Sequence, residues 1–369
     1  MNDSSFQFYS RAKIVSGTRA LEGIPLELSG YDRRNPLVIT GPNESSVNST
    51  KRFIDAIADS GMVIRAFYDN VTSADEITAA ELAGVFKSKN CDSLIAIGGT
   101  TVLEMARKIN LSACDTNNMV PMFLVPTAVI RDTDMRNSVI INSKIIVHPA
   151  LSPDLIFIDS SVKTPEWGIK CINSALGAFA HAVDGSFGSV NPIVSSFRQS
   201  AISLLYQNIP RYLKKPDDRK ARTAVINGII HGGIALGNSE SGLIDTLTEA
   251  IGSKTQTPSG MIMAMLLPSV IDYRIMEGGN PDDLLMAMAG VEKFCSIVKG
   301  NIGHETVRVI KQFMVEVLKS VPAETKKLHL SEIETRDIAS GVSETTGIQV
   351  KKISAILHDS LLFNKQEGK

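Results

Sequence analysis

Three groups of residues in this chain have types and spacing that could do chemistry. Gly98-Gly99-Thr100-Thr101 stand between an apolar run, Ser93–Ile97, and a segment with apolar residues at Val102, Leu103, Ala106 and Ile109. A strand that ends in glycines and opens into a helix points free backbone N–H groups at an anion. Glycines let a phosphate approach the backbone, and threonine hydroxyls can cap the helix or touch the phosphate. The same residues also make an ordinary strand-to-helix turn. His181 is a lone histidine on an otherwise apolar helical segment, and reads as a hydrogen-bonded core or cleft residue. Asp245 and Glu249, four apart, share one helix face. In a cleft two such carboxylates can share a proton; on an open face they are simply solvated.

The elements that must position these groups follow from periodicity. Before the glycine turn come a short strand (Ala12–Ser16), a turn at Gly17, a helix ending at Gly30 and a buried strand, Pro36–Thr40. A polar loop, 41–46, leads to a helix from about Asn48 to Ser60, then a strand, Met62–Tyr68, and an amphipathic helix, Ala74–Lys89. Pro121–Pro126 is a further apolar strand, followed by Thr127, and 139–147 and 155–159 read as extended. Apolar strands alternating with helices imply a mostly parallel sheet covered on both faces. Ligands of such sheets collect at the carboxyl ends of the strands. Gly41, Gly98 and Thr127 all fall there, which supports one shared crevice. After Lys163-Thr164-Pro165 helix-period patterns dominate, broken at Asn191-Pro192, Lys214–Asp218, Pro258-Ser259-Gly260, Gly278–Pro281 and Lys299-Gly300. The boundary falls near 162, giving an α/β domain over 1–162 and an all-helical domain over 163–369.

The 369 residues suit two domains, and the net charge of −1, with lysine and arginine scattered, gives no nucleic-acid face. The N-terminus has no apolar core of signal-peptide length, and no run approaches the ~20 apolar residues that span a bilayer. Cysteines 91, 114, 171 and 295 form no CxxC pair and read as buried free thiols of a reducing cytosol. A cytoplasmic protein with a small-molecule substrate, no membrane or nucleic-acid partner and a homo-oligomeric assembly is expected.

These pieces, in this order, resemble the iron-containing (group III) alcohol dehydrogenase family over nearly the whole chain. AIGGTTVLEMARKI at 96–109 is similar to the family's AIGGGS-x-x-D-x-AK turn, and Val125-Pro126-Thr127 to its PTT segment. PALSPDLIFID at 149–159, GAFAHAVDG at 177–185 with Asn191-Pro192, and Gly242–Pro268 match further family segments. The resemblance implies a Rossmann-like nucleotide-binding domain, a helical domain, and an active site in the cleft between them.

It also implies a divalent metal held by one Asp and three His, and here the chain departs. The Asp position is Gly177, only His181 survives among the histidines, and the next two positions are Asp245 and Ser259. A further family His, next to the substrate, is Glu249. Catalytic iron or zinc generally needs at least three protein ligands, so a bound metal is not expected, although Asp184 or Glu249 would be the residues to complete an unusual site.

What remains implied is an NAD(P)-dependent oxidoreductase that interconverts an alcohol and a carbonyl without the metal. His181, Asp245 and Glu249 are its candidate catalytic residues, with His181 suited to general acid work. Gly98, Gly99, Thr100 and Thr101 would hold the pyrophosphate, beside Thr127. Gly41 stands where the family usually has an Asp that binds the adenosine ribose; its loss, with neutral Asn43, Ser45 and Ser46, leans to NADP over NAD. Glu104 replaces a family Asp. Asp134 has a counterpart in the related dehydroquinate synthases, and is placed among the cofactor contacts. The charges at Arg131, Asp132, Asp134 and Arg136 replace a small glycine-rich loop, and either bind a charged substrate or pair internally. A non-catalytic homologue that binds nucleotide or a partner protein is the alternative, and a dehydroquinate synthase-like cyclase a lesser one.

Overall fold

The computed structural model describes residues 5–114, 119–127, 130–141, 144–159, 161–162, 167–188, 191–240, 242–326 and 328–367. Two compact units result, Tyr9–Lys170 and Cys171–Lys369, the second including the N-terminal segment that ends at Phe8. The division falls eight residues beyond position 162; the Lys163-Thr164-Pro165 break lies outside the described residues.

In the first unit, β1 (Lys13–Gly17), β2 (Pro36–Thr40), β3 (Ala66–Tyr68), β4 (Ser93–Gly98), β5 (Met122–Pro126) and β8 (Leu155–Asp159) form a parallel sheet in the order β1-β8-β5-β4-β2-β3. An antiparallel hairpin, β6 (Ser138–Ile141) and β7 (Lys144–Val147), stands apart from it. The four inner strands are buried at every residue, which is why they read as unbroken apolar runs. β1 and β3 are edges. Only Ala66–Tyr68 of the expected Met62–Tyr68 strand joins the ladder, because Ala66 already pairs with Leu37 and β2, the sole partner, begins at Pro36; Met62 and Ile64 pack against the core without pairing.

Four helices serve this sheet: α1 (Ile24–Gly30), α2 (Glu44–Ser60), α3 (Glu76–Ser88) and α4 (Thr100–Ala113). Leu21, Ile24, Leu28, Phe53 and Ile57 meet Val38, Ile95, Ile97, Phe123, Val125 and Phe157 in one core. α2 begins four residues before the expected Asn48. Asn43 Oδ1 accepts the Ser46 amide at 2.8 Å, so the polar loop winds into the first helical turn, and Gly61, at φ 72°, ends it.

The second unit is helical: α5 (Trp167–Gly185), α6 (Pro192–Lys214), α7 (Arg219–Leu236), α8 (Leu243–Gly252), α9 (Ser259–Met276), α10 (Asp282–Ala289), α11 (Val291–Cys295), α12 (Ile302–Lys319), α13 (Glu332–Thr346) and α14 (Val350–Glu367). Each break read from the sequence falls at a helix boundary or in the short 3-10 turn before α12. α9 is long and apolar enough to cross a bilayer by length and composition alone, but Gly260–Pro268, Val270 and Ile271 are buried in this unit.

All four cysteines are free, as expected, but not all are buried: Cys114 is half-buried and Cys295 exposed. Burial, opposed by the neighbouring Tyr212 hydroxyl, pushes the Cys171 thiol up to about 12, which leaves it inert.

Candidate functional site

In the sheet unit the three expected strand ends come together. Thr40 is level with Ile97, and Gly98 with Pro126, on adjacent strands. The chain leaves β2 toward β3 on one side, and β4 leads to β5 on the other. Such a reversal of strand order is the place at which parallel sheets take ligands. Gly99 is the N-cap of α4, with no side chain capping the helix, so its first amides are offered to whatever sits at that end. Thr100 and Thr101 are the first helical residues and half-buried.

The two glycines that matter here are glycines for packing. A Cβ on Gly98 would lie 2.4 Å from Val102 Cγ2, and one on Gly41 3.1 Å from the same methyl. Gly41 therefore lets β2 pass close to α4. Thr127 is fully buried, its hydroxyl 3.0 Å from that of Ser46, and its amide donates to Gly98 O at 2.9 Å. Asn43 is exposed and occupied as a cap. Glu104 lies 3.7 Å from Lys108 on its own helix.

In the charged loop Arg131 and Asp134 pair with each other. Arg131 donates to Asp134 through its backbone amide at 2.8 Å and its Nη2 at 2.7 Å, and Asp134 is 1 % exposed. That carboxylate, placed among the cofactor contacts from the sequence, serves Arg131 here. Arg107, which the sequence reading passed over, donates from α4 to the carbonyls of Leu151, Arg136 and Ser138, and so holds the loop to the helix. Burial pushes its guanidinium down to about 10, with Asp134 opposing.

In the helical unit α5 and α8 bring together two residues 64 positions apart. His181 Nε2 lies 2.6 Å from Asp245 Oδ1, and both are largely buried. Asp245 Oδ2 accepts the Gly242 amide at 3.2 Å, which fixes the carboxylate against its own helix start. Glu249 is exposed one turn on. Of the two arrangements open to these carboxylates, Asp245 pairs with the imidazole and the helix end, and Glu249 is left on the solvated face. The helical register permits both partners; burial selects the histidine.

Beside this pair is a small cavity lined by His181, Asp184, Arg198, Ser239, Glu240 and Asp245, among others. Asp184 is buried; it accepts Arg274 Nε at 2.8 Å and the Ile244 amide at 3.1 Å. Arg198 donates to Ser239 Oγ at 2.6 Å, and Ser239 in turn donates to Ala235 O. Burial lowers the Arg198 pKa, and Asp184 opposes this. Arg198 carries no motif, but it occupies a helical-period position among Val194, Ala201 and Leu205, where an arginine signals a buried polar contact.

The residues do not fit the metal that the resemblance implies. A nitrogen and an oxygen both bound to one tetrahedral ion stand about 3.4 Å apart, given bonds of roughly 2.1 Å. At 2.6 Å, His181 and Asp245 instead bond to each other. Gly177 is buried against α9, where an added Cβ would touch Gly260 and Met263 at 3.9 Å, and Ser259 is exposed. Among the described residues no three His, Cys, Asp or Glu side chains converge as a metal site.

Residues 11–160 match the iron-containing alcohol dehydrogenase family, and residues 171–350 the C-terminal part of the Fe-containing alcohol dehydrogenase family. Maleylacetate reductase 1 of Cupriavidus pinatubonensis is 26% identical over 300 residues, covering 76% of this chain and 78% of that protein. The NAD-dependent methanol dehydrogenase of Bacillus methanolicus is 22% identical over 73% of this chain and 76% of its own. Among solved structures, a 1,3-propanediol oxidoreductase superposes with a TM-score of 0.85 at 16% identity, covering 97% of this chain and all of that one (100%). The chain belongs to the iron-containing alcohol dehydrogenase family.

Proposed function

We propose that this protein is an NAD(P)-dependent oxidoreductase that interconverts an alcohol and a carbonyl compound, with the His181–Asp245 pair doing the proton chemistry in place of a metal. The observation that carries this reading is the direct 2.6 Å contact between the two side chains. Asp245 fixes the ring tautomer and stabilises the imidazolium, and His181 donates the proton to the carbonyl oxygen as it becomes an alcohol. The nicotinamide supplies or takes up the hydride when it is bound.

The sheet unit holds that cofactor in this reading. The first amides of α4, at Gly99, Thr100 and Thr101, take the pyrophosphate, with Gly98 and Thr127 on the neighbouring strand ends. The adenosine end meets Gly41 and Asn43, where no carboxylate repels a 2′-phosphate, which favours NADP. The maleylacetate reductase relative makes carbonyl-bearing organic acids the first substrates to try.

Purified protein mixed with NADPH or NADH and a panel including maleylacetate and short aldehydes tests the reading by loss of the reduced-nicotinamide absorbance. His181→Gln should lower kcat by roughly 10²–10⁴-fold, with nucleotide affinity unchanged. No hydride transfer with either cofactor, with or without added iron or zinc, would leave a nucleotide-binding protein without this activity.

A further inference from the structure

His181 is 7 % exposed. A proton donor so placed must exchange its proton with solvent once per turnover, and the nearby cavity reaches from it to the exposed Glu240. We propose that this cavity is the proton-exchange route of the His181–Asp245 pair, with a water inside it and Glu240 as the residue that passes protons to and from bulk solvent. The inference rests on reading that pair as the proton donor.

The cavity has room for about one water molecule, and its polar lining comes from several elements, as a held water requires. The charged and titratable groups around it divide by what each can still do. Asp184, from α5, is committed to Arg274 of α9 and to the Ile244 amide. Arg198, from α6, is a permanent donor and cannot accept a proton. Ser239 gives its own proton to Ala235 O and accepts from Arg198, so its remaining lone pair can hold a water but its hydroxyl does not relay. Asp245, from α8, belongs to the pair itself. Among the described lining residues this leaves Glu240, in the turn between α7 and α8, to take up and release a proton. Arg198 and Ser239 are positioning residues for the water.

The proton balance is closed. In carbonyl reduction hydride adds to carbon, and the His181 N–H bond breaks as the O–H bond of the alcohol forms. The neutral imidazole then takes a proton from the cavity water, the water takes one from the Glu240 carboxyl, and the resulting carboxylate is reprotonated from bulk. Alcohol oxidation runs the same steps in reverse.

The test uses the full chain labelled with 15N-histidine and follows exchange of the His181 ring N–H with water, assigned by its loss in His181→Gln. Glu240→Gln should slow this exchange at least about ten-fold, Glu240→Asp should restore it, and added imidazole buffer should rescue the Gln variant. Ser239→Ala should give a smaller slowing in the same direction. Unchanged exchange in Glu240→Gln, or equal slowing in Glu240→Asp, overturns the proposal. The measurement needs no substrate. If the wild type transfers no hydride, the functional reading fails while the exchange rates still decide the route. If it does, Glu240→Gln should lower kcat in weak buffer at unchanged KM.

Discussion

Arg274 Nε donates to Asp184 Oδ1 at 2.8 Å, while the other oxygen of that carboxylate accepts the Ile244 amide. One buried side chain therefore ties α5 to α9 and to the first turn of α8, the turn that carries Asp245. Asp184→Ala leaves Arg274 and a helix-start amide without their acceptor. It should cost about 2–4 kcal/mol, read by denaturant unfolding, and should loosen the His181–Asp245 pair. Wild-type stability in this variant would show the tie to be dispensable.

Gly98 and Gly99 should separate on substitution. Gly98→Ala drives a Cβ into Val102 and should destabilise the sheet unit by about 1–3 kcal/mol. Gly99 has φ −79° and ψ −175°, a conformation open to any residue, and aspartate is a favoured N-cap. Gly99→Asp should therefore fold with normal stability yet lose nucleotide binding, because its charge meets the phosphates. Calorimetric titration with NADPH giving wild-type affinity would remove the turn from the cofactor site.

Metal content follows from the same geometry. With Gly177, exposed Ser259 and an Asp245 already bonded to His181, retention of a divalent ion should be weak. Elemental analysis of protein purified without chelator should find iron and zinc well below one per chain, and EDTA should leave turnover unchanged. About one tightly held metal per chain, lost together with activity in His181→Ala, would mean a rebuilt centre.

Burial lowers the pKa of His231, whose Nδ1 lies 2.7 Å from Ser200 Oγ. The unfolded chain takes a proton there more readily than the folded one. Stability from this residue is fully present above the unfolded value of about 6.5 and falls as pH drops from there through the folded value. His231→Gln should flatten the unfolding free energy against pH in that window. An unchanged slope would assign it to other groups.

The order of strands and helices was legible in the sequence because its signals are local. The inner strands are apolar at every position, since both faces of the sheet are covered, and glycine, proline and asparagine mark most element ends. That Gly41, Gly98 and Thr127 stand at neighbouring strand ends was legible for the same reason. The roles of individual polar side chains were not. His181 and Asp245 stand 64 residues apart, and only the packing of α5 beside α8 makes them partners. Asp134 and Glu249 were candidates by position; one is buried under Arg131 and the other faces solvent. Arg198, Ser239 and Glu240 carry no motif at all, yet line the cavity with His181. A sequence reports what a residue can do chemically, but which neighbour satisfies it depends on burial and on contacts between distant segments, and those exist only once the chain has folded.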